Sequence, residues 1–190
     1  MDHKMPPNFG GFFTLLNPYL KSMRKINIIL LVAAVIGVSG TTWAQEKPLS
    51  PKAEVEATIG NSPVKVVYCQ PSARGRKIMG GLVPYGEVWR TGANEATTIT
   101  FDNDVKIEGK DLPAGKYALF TIPDEKEWTI IFNKDTKQWG HYNYNQAQDV
   151  LRVKVKPAKT GEFVETFTIA PEKDQLVLKW ENTAVAFKIK

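Results

Sequence analysis

Cysteine and histidine are nearly absent from this chain of 190 residues: one cysteine, Cys69, and two histidines, His3 and His141. A single cysteine excludes an intramolecular disulfide, so the fold must be held by its core. So few soft ligands exclude a zinc set, and no metal or cofactor is expected. Arginine is scarce as well, with five in all. No Ser-His-Asp signature or phosphate-binding glycine loop is present. Charge of one sign is not concentrated. The net charge is +5, but residues 1–44 hold four basic side chains against one acidic, which leaves only +2 for the rest. Lysines and acids alternate there, which excludes the basic stripe of a nucleic-acid surface. Cys69 follows the apolar run Val66-Val67-Tyr68 and reads as a small buried core residue.

No apolar run reaches the roughly 20 residues a membrane-spanning helix needs. The longest, Ile26–Val38, follows Met23-Arg24-Lys25 and precedes Thr42-Trp43-Ala44. A basic start, a short apolar stretch and small residues at the last and third-last positions make a secretory leader, residues 23–44, cut after Ala44. Gln45 would then be the first mature residue. No cysteine follows the cut, so a lipid anchor is not expected; an uncleaved membrane anchor is the alternative. Residues 1–22 show no structural pattern and read as an extension, with Met1 or Met23 as the true start. Export to the periplasm or outside the cell follows from the leader, without stable membrane insertion after cleavage.

Residues 45–52, with Pro48 and Pro51, form a lead-in, and 53–190 form one domain. Val55, Ala57 and Ile59 alternate with Glu54, Glu56 and Thr58, the period-two pattern of a half-buried strand. Further short strands are expected at Val64–Cys69, Thr97–Phe101, Val105–Glu108, Lys116–Ile122, Trp128–Asn133, Leu151–Val155, Glu165–Ala170, Leu176–Trp180 and Ala184–Ile189. Turns are expected at Gly109–Gly115 and Lys159–Gly161, and a single helical turn at Gln146–Val150. Such spacing predicts an all-β, single-domain β-sandwich, jelly-roll or immunoglobulin-like.

The scarce arginines collect where strands are missing. A long irregular loop region at 70–96 holds Arg74, Arg76 and Arg90, and the segment Tyr68–Thr98 carries five of the fourteen glycines. An ordered loop of this length is usually functional. Arginine suits bidentate recognition of carboxylate or phosphate. Glycine lets backbone approach a ligand. Tyr85 and Trp89 offer flat faces, and Asn94 and Glu95 directional hydrogen bonds. Arg74, Arg76, Tyr85, Trp89, Arg90, Asn94 and Glu95 are therefore the candidate ligand-binding residues, with His141 to Tyr144 nearby.

The same run resembles a family of secreted bacterial proteins catalogued as domain of unknown function 2911. The resemblance is carried by Gly75-Arg76, Val83-Pro84-Tyr85-Gly86 and Trp89 to Thr97. Leu112 to Gly115, Ile131-Phe132-Asn133, Trp139-Gly140, Asp149 to Val153 and Trp180-Glu181 extend it. It implies an exported, β-rich domain and supplies no activity or catalytic residues.

The residues themselves suggest binding of a small anionic or carbohydrate-like ligand, or of an envelope partner, without catalysis. One alternative is an envelope-polysaccharide hydrolase. It would use Glu95 and Asp149 as paired carboxylates about 5–9 Å apart, with His141 as acid or base. Another is a purely structural envelope protein, with Arg90 paired to Glu95 or Asp149 and Trp89 plugging the core. Asp149 and Arg152, three apart, would meet only if that turn were helical. The oligomeric state is not legible.

Overall fold

The structure is a computed structural model that describes residues 48–190. The extension, the leader and its cleavage site, and the start of the lead-in lie outside the described residues. Among those described, no helix is long and apolar enough to cross a membrane.

The first strand, β1 (Lys52–Ile59), alternates as its sequence predicts, with Ile59 buried and Lys52, Glu54 and Glu56 exposed. It turns at Gly60-Asn61 into β2 (Ser62–Cys69), pairing Ile59 with Ser62, and Gly60 takes the left-handed φ of 61° that such a turn needs. Next come β3 (Thr98–Phe101), β4 (Val105–Ile107), β5 (Lys110–Leu112), β6 (Gly115–Ile122), β7 (Trp128–Asn133), β8 (Asp149–Val155), β9 (Ala158–Glu172) and β10 (Gln175–Lys188). A six-stranded antiparallel sheet runs in the order β1-β2-β3-β6-β7-β8. The β4–β5 hairpin is inserted between β3 and β6, and β9–β10 forms a separate long hairpin.

The hairpin lies across one face of the large sheet. Phe167, Ile169, Leu178, Trp180 and Phe187 from the hairpin share one core with Val66, Ile99, Leu119, Ile130 and Phe132 from the sheet. Each such side chain contributes about 1.5–3 kcal/mol when fully buried. The opposite face carries Ala118, Phe120 and Ile131 and is covered with Ala96, Val88 and Tyr144. Strand β6 is therefore buried on both faces from Tyr117 to Thr121. The fold is an all-β sandwich with unequal layers.

Three local expectations change. Lys159-Thr160-Gly161 is not a turn but the start of β9, and the chain opposite it, Glu181–Thr183, lies inside β10. Register shifts on both sides of Glu181, whose φ is 55°, let one hairpin run its full length where residue types suggested a break. Gly109–Gly115 contains β5, and the tight reversal is confined to Glu108 and Gly109. Asp149 and Arg152 do meet, without a helix. The single 3-10 turn, Gln146–Gln148, ends before them. Asn133 pairs with Asp149 and Phe132 with Leu151, so Val150 is an extra residue in the ladder. That bulge turns Asp149 onto the same face as Arg152, and Arg152 Nε donates to Asp149 Oδ2 at 2.7 Å.

Candidate functional site

From β2 the chain first adds to the edge of β9. Phe167 N donates to Pro71 O and Ala73 N to Glu165 O. It then winds through a tight loop in which Ile78, Met79 and Val83 are buried. The Glu181 carboxylate accepts from the backbone N–H groups of Ile78 and Met79, each at 3.4 Å, and holds that loop from the bulge in β10. Trp89 next pairs with Thr121 on β6 through two backbone bonds of 2.7 and 2.9 Å. Thr97 returns to the same strand, accepting from Leu119 N at 2.8 Å.

Arg90–Ala96 is thus a short excursion anchored at both ends on β6. Inside it, Trp89 Nε1 donates to Gly92 O at 3.1 Å and Thr97 Oγ1 to Thr91 O at 2.6 Å. Thr91, fully buried and β-branched, has φ 57°, and so does Asn94. A β-branched residue there is strained by roughly 1–3 kcal/mol and persists only where its surroundings enforce it. Its hydroxyl donates to Thr121 Oγ1 at 3.2 Å. At Gly92 an added Cβ would lie 3.0 Å from Cys69 O and 3.1 Å from Thr97 Oγ1, so a side chain there would push those neighbours back by a few tenths of an ångström.

This excursion forms one wall of a cavity of about 360 Å³. Arg76, Trp89, Arg90, Asn94 and His141 all line it, joined by Glu87 and Trp180. Trp89 is buried, so it supplies wall rather than a free stacking face. The other candidates lie elsewhere. Arg74 is exposed and donates through its guanidinium to Leu49 O. Tyr85 opens on a separate depression with Met79, Asp124, Glu125 and Trp128. Glu95 shares a third with Cys69, Lys52 and Lys116, its Oε2 lying 3.8 Å from Cys69 Sγ. Asp149 accepts from Asn133, Tyr144 and Arg152. Glu87 and Trp180 escaped the sequence reading. Glu87 sits within the same loop, and Trp180 in the late Trp-Glu pair had no visible link to it.

The electrostatics of the cavity are unbalanced. Arg90 makes no hydrogen bond or ion pair through its side chain among the described residues, and its buried Nε has no partner. It pairs with neither Glu95 nor Asp149. Burial pushes its pKa down, against weak opposing pulls from Tyr142 and Cys69. His141 Nδ1 is likewise buried and unpartnered. Burial lowers the His141 pKa, the Arg90 charge lowers it further, and Glu87 opposes both. Arg76 is partly committed: Nε donates to Ala73 O at 3.0 Å and an Nη to Ser72 O at 2.9 Å. Cys69 is held as a neutral thiol because burial raises its pKa. Among the described residues no group of three or more His, Cys, Asp or Glu side chains is placed to hold a metal ion. The arrangement can accept an anion on guanidinium donors inside a small, half-enclosed space.

A family model described as "Protein of unknown function (DUF2911)" matches residues 50–189. No curated protein and no solved structure matches the chain.

Proposed function

The chain belongs to that family of unknown function, and from this premise we propose that its domain is an exported binding module for a small anionic ligand, taken up in the Arg90 cavity. One observation carries the reading: a half-buried Arg90 on the cavity wall, its Nε out of water and unpartnered and its side chain without an ion pair among the described residues. Withdrawing part of such an ion from water disfavours its charge unless it is paired. A carboxylate or phosphate arriving in the cavity supplies the missing partner through charge-assisted bonds of about 1.5–3 kcal/mol each. The strained backbone at Thr91 and Asn94, enforced from β6, fits a site held in shape before its ligand arrives.

The hydrolase reading has less support. The Asp149 carboxylate is engaged by three donors, and Glu95 lines a different depression. A purely structural role leaves the unpaired Arg90 unexplained. Export rests on the leader pattern at residues 23–44, and N-terminal sequencing of the mature protein, with Gln45 first, tests it. Binding is tested by thermal shift and calorimetry on the wild-type protein with succinate and inorganic phosphate. Stabilisation by at least one of them is expected, lost in Arg90→Ala and weakened in Arg90→Lys, which lacks the bidentate fork. No shift with either anion, or an equal shift in Arg90→Ala, overturns the proposal.

A further inference from the structure

The cavity does not hold donors alone. Glu87 puts a carboxylate on the wall that Arg76 and Arg90 also line. A site built only for a compact anion such as phosphate would be weakened by that carboxylate, because like charges at close range oppose each other. Glu87 instead suits a ligand that carries hydroxyl hydrogens as well as a negative charge. Asn94 adds both a donor and an acceptor, and the neutral His141 ring one of each. Donors and acceptors around a single anchoring cation match a polyhydroxylated carboxylate better than a bare ion.

The residue after His141 supplies a second, independent feature. Tyr142 is 77% exposed, more than any other large hydrophobic side chain described. Its ring stacks on His141, centroids 5.2 Å apart and planes 28° from parallel, and His141 lines the cavity. Its other support is Gly140, with φ 71°, where an added Cβ would lie 2.8 Å from Tyr142 Cε2. Gly140 N in turn donates to Asn94 O at 2.9 Å, which ties this segment to the cavity wall. The result is an exposed aromatic ring stacked on a residue that lines the polar cavity. A ring with an apolar face is the partner such a surface fits.

Resting on the anion-binding reading above, we propose that the ligand is an acidic sugar ring, a hexuronate alone or at the end of a short glycan. Its carboxylate sits on Arg90, its hydroxyls reach Glu87 and Asn94, and one ring face lies on Tyr142. The cavity volume of about 360 Å³ is near the lower end for small-molecule sites, which favours one ring inside and any further rings outside.

Calorimetry at pH 7 separates this inference from the reading it rests on. The probes are D-glucuronate and D-galacturonate, with D-glucose as ring without charge and succinate as charge without ring. At least one uronate should bind about tenfold or more tighter than both controls, one factor of ten being about 1.4 kcal/mol. Tyr142→Ala, at unchanged melting temperature, should weaken that uronate about two- to tenfold and leave succinate unaffected, and Tyr142→Trp should restore it. If succinate binds as tightly as the uronates, or Tyr142→Ala changes nothing, the sugar inference is wrong while the anion site stands. If none of uronate, succinate and inorganic phosphate binds, or Arg90→Ala binds them equally well, the anion site fails and the inference fails with it.

Discussion

The indole of Trp89 lies almost flat on that of Trp180, with centroids 5.8 Å apart and planes at 19°. Trp89 is bonded to β6 in the large sheet, and Trp180 sits on β10 in the hairpin. One stacked pair therefore joins the two layers, and both rings also wall the cavity. Phe167 meets the edge of Trp89 at 5.2 Å, and Trp180 Nε1 donates to Glu165 O at 3.2 Å.

Trp180→Ala should cost about 3–5 kcal/mol of unfolding free energy, the range for deleting a large buried aromatic. Trp180→Phe should cost less, because a ring still packs on Trp89 while the bond to Glu165 is lost. Urea unfolding at constant m-value measures both. Equal costs for the two variants would mean that the stack contributes nothing beyond that single hydrogen bond.

Much of this scaffold was legible because strands announce themselves by alternation. Val55, Ala57 and Ile59 turn inward together as their spacing requires. The hairpin β9–β10 was broken up in the sequence reading because Lys159-Thr160-Gly161 has the residue types of a turn. Bulges at Glu181, set by the register of the opposite strand, carry no local signal. The meeting of Asp149 with Arg152 was illegible for the same reason: one extra residue at Val150 reverses a face, and residue types do not mark it. Of the site, Arg76 and Arg90 were legible as a scarce residue type, and Asn94 as a directional polar group, in a glycine-rich loop. Their separation from Arg74, Tyr85 and Glu95 was not, since neighbours in a winding loop point into different depressions. Trp180 joins the site through tertiary packing alone.

Tyr144 sets an alkaline limit on stability. Burial, with its hydrogen bond to Asp149 at 2.5 Å, pushes its pKa up to about 12, against the opposing bond from Arg152. The folded chain then keeps this phenolic proton in a range where the unfolded chain, near pH 10, has lost it. Stability from this group is complete below pH 10 and declines as pH rises toward 12. Tyr85 and Tyr117, raised mainly by burial, act in the same direction. Tyr144→Phe should flatten the fall in melting temperature between pH 10 and 12. An unchanged slope would show that Tyr144 titrates normally in the folded protein.

His141 should make anion binding depend on pH in the opposite sense to stability. Its pKa lies below the ordinary 6.5 through burial and the Arg90 charge, with Glu87 pulling the other way. In the free protein the unfolded chain takes up this proton first, so stability falls as pH drops below about 6.5. A bound anion favours the imidazolium, so its affinity should rise over that same window. Calorimetric titration with succinate at pH 5.5 and 7.5, repeated with His141→Asn, checks this. The variant should lose most of the difference, and the wild type should show tighter binding at the lower pH. Weaker binding there would place the anion away from His141.

Arg90 separates stability from function most sharply. If its role were to pin the loop, truncation would break a pair and destabilise the fold by about 3–5 kcal/mol. No such pair exists among the described residues; Nε is buried and unpartnered, and burial already disfavours the charge. Arg90→Leu keeps the aliphatic packing of the side chain and removes the desolvated ion. The free protein should therefore lose no stability, while response to succinate disappears. Chemical denaturation with and without the anion measures both quantities on one sample. A loss of 3 kcal/mol or more in the absence of anion would show that the guanidinium holds the fold together. Stability retained together with lost binding would mean that the cost of burying Arg90 is offset only when the cavity is filled.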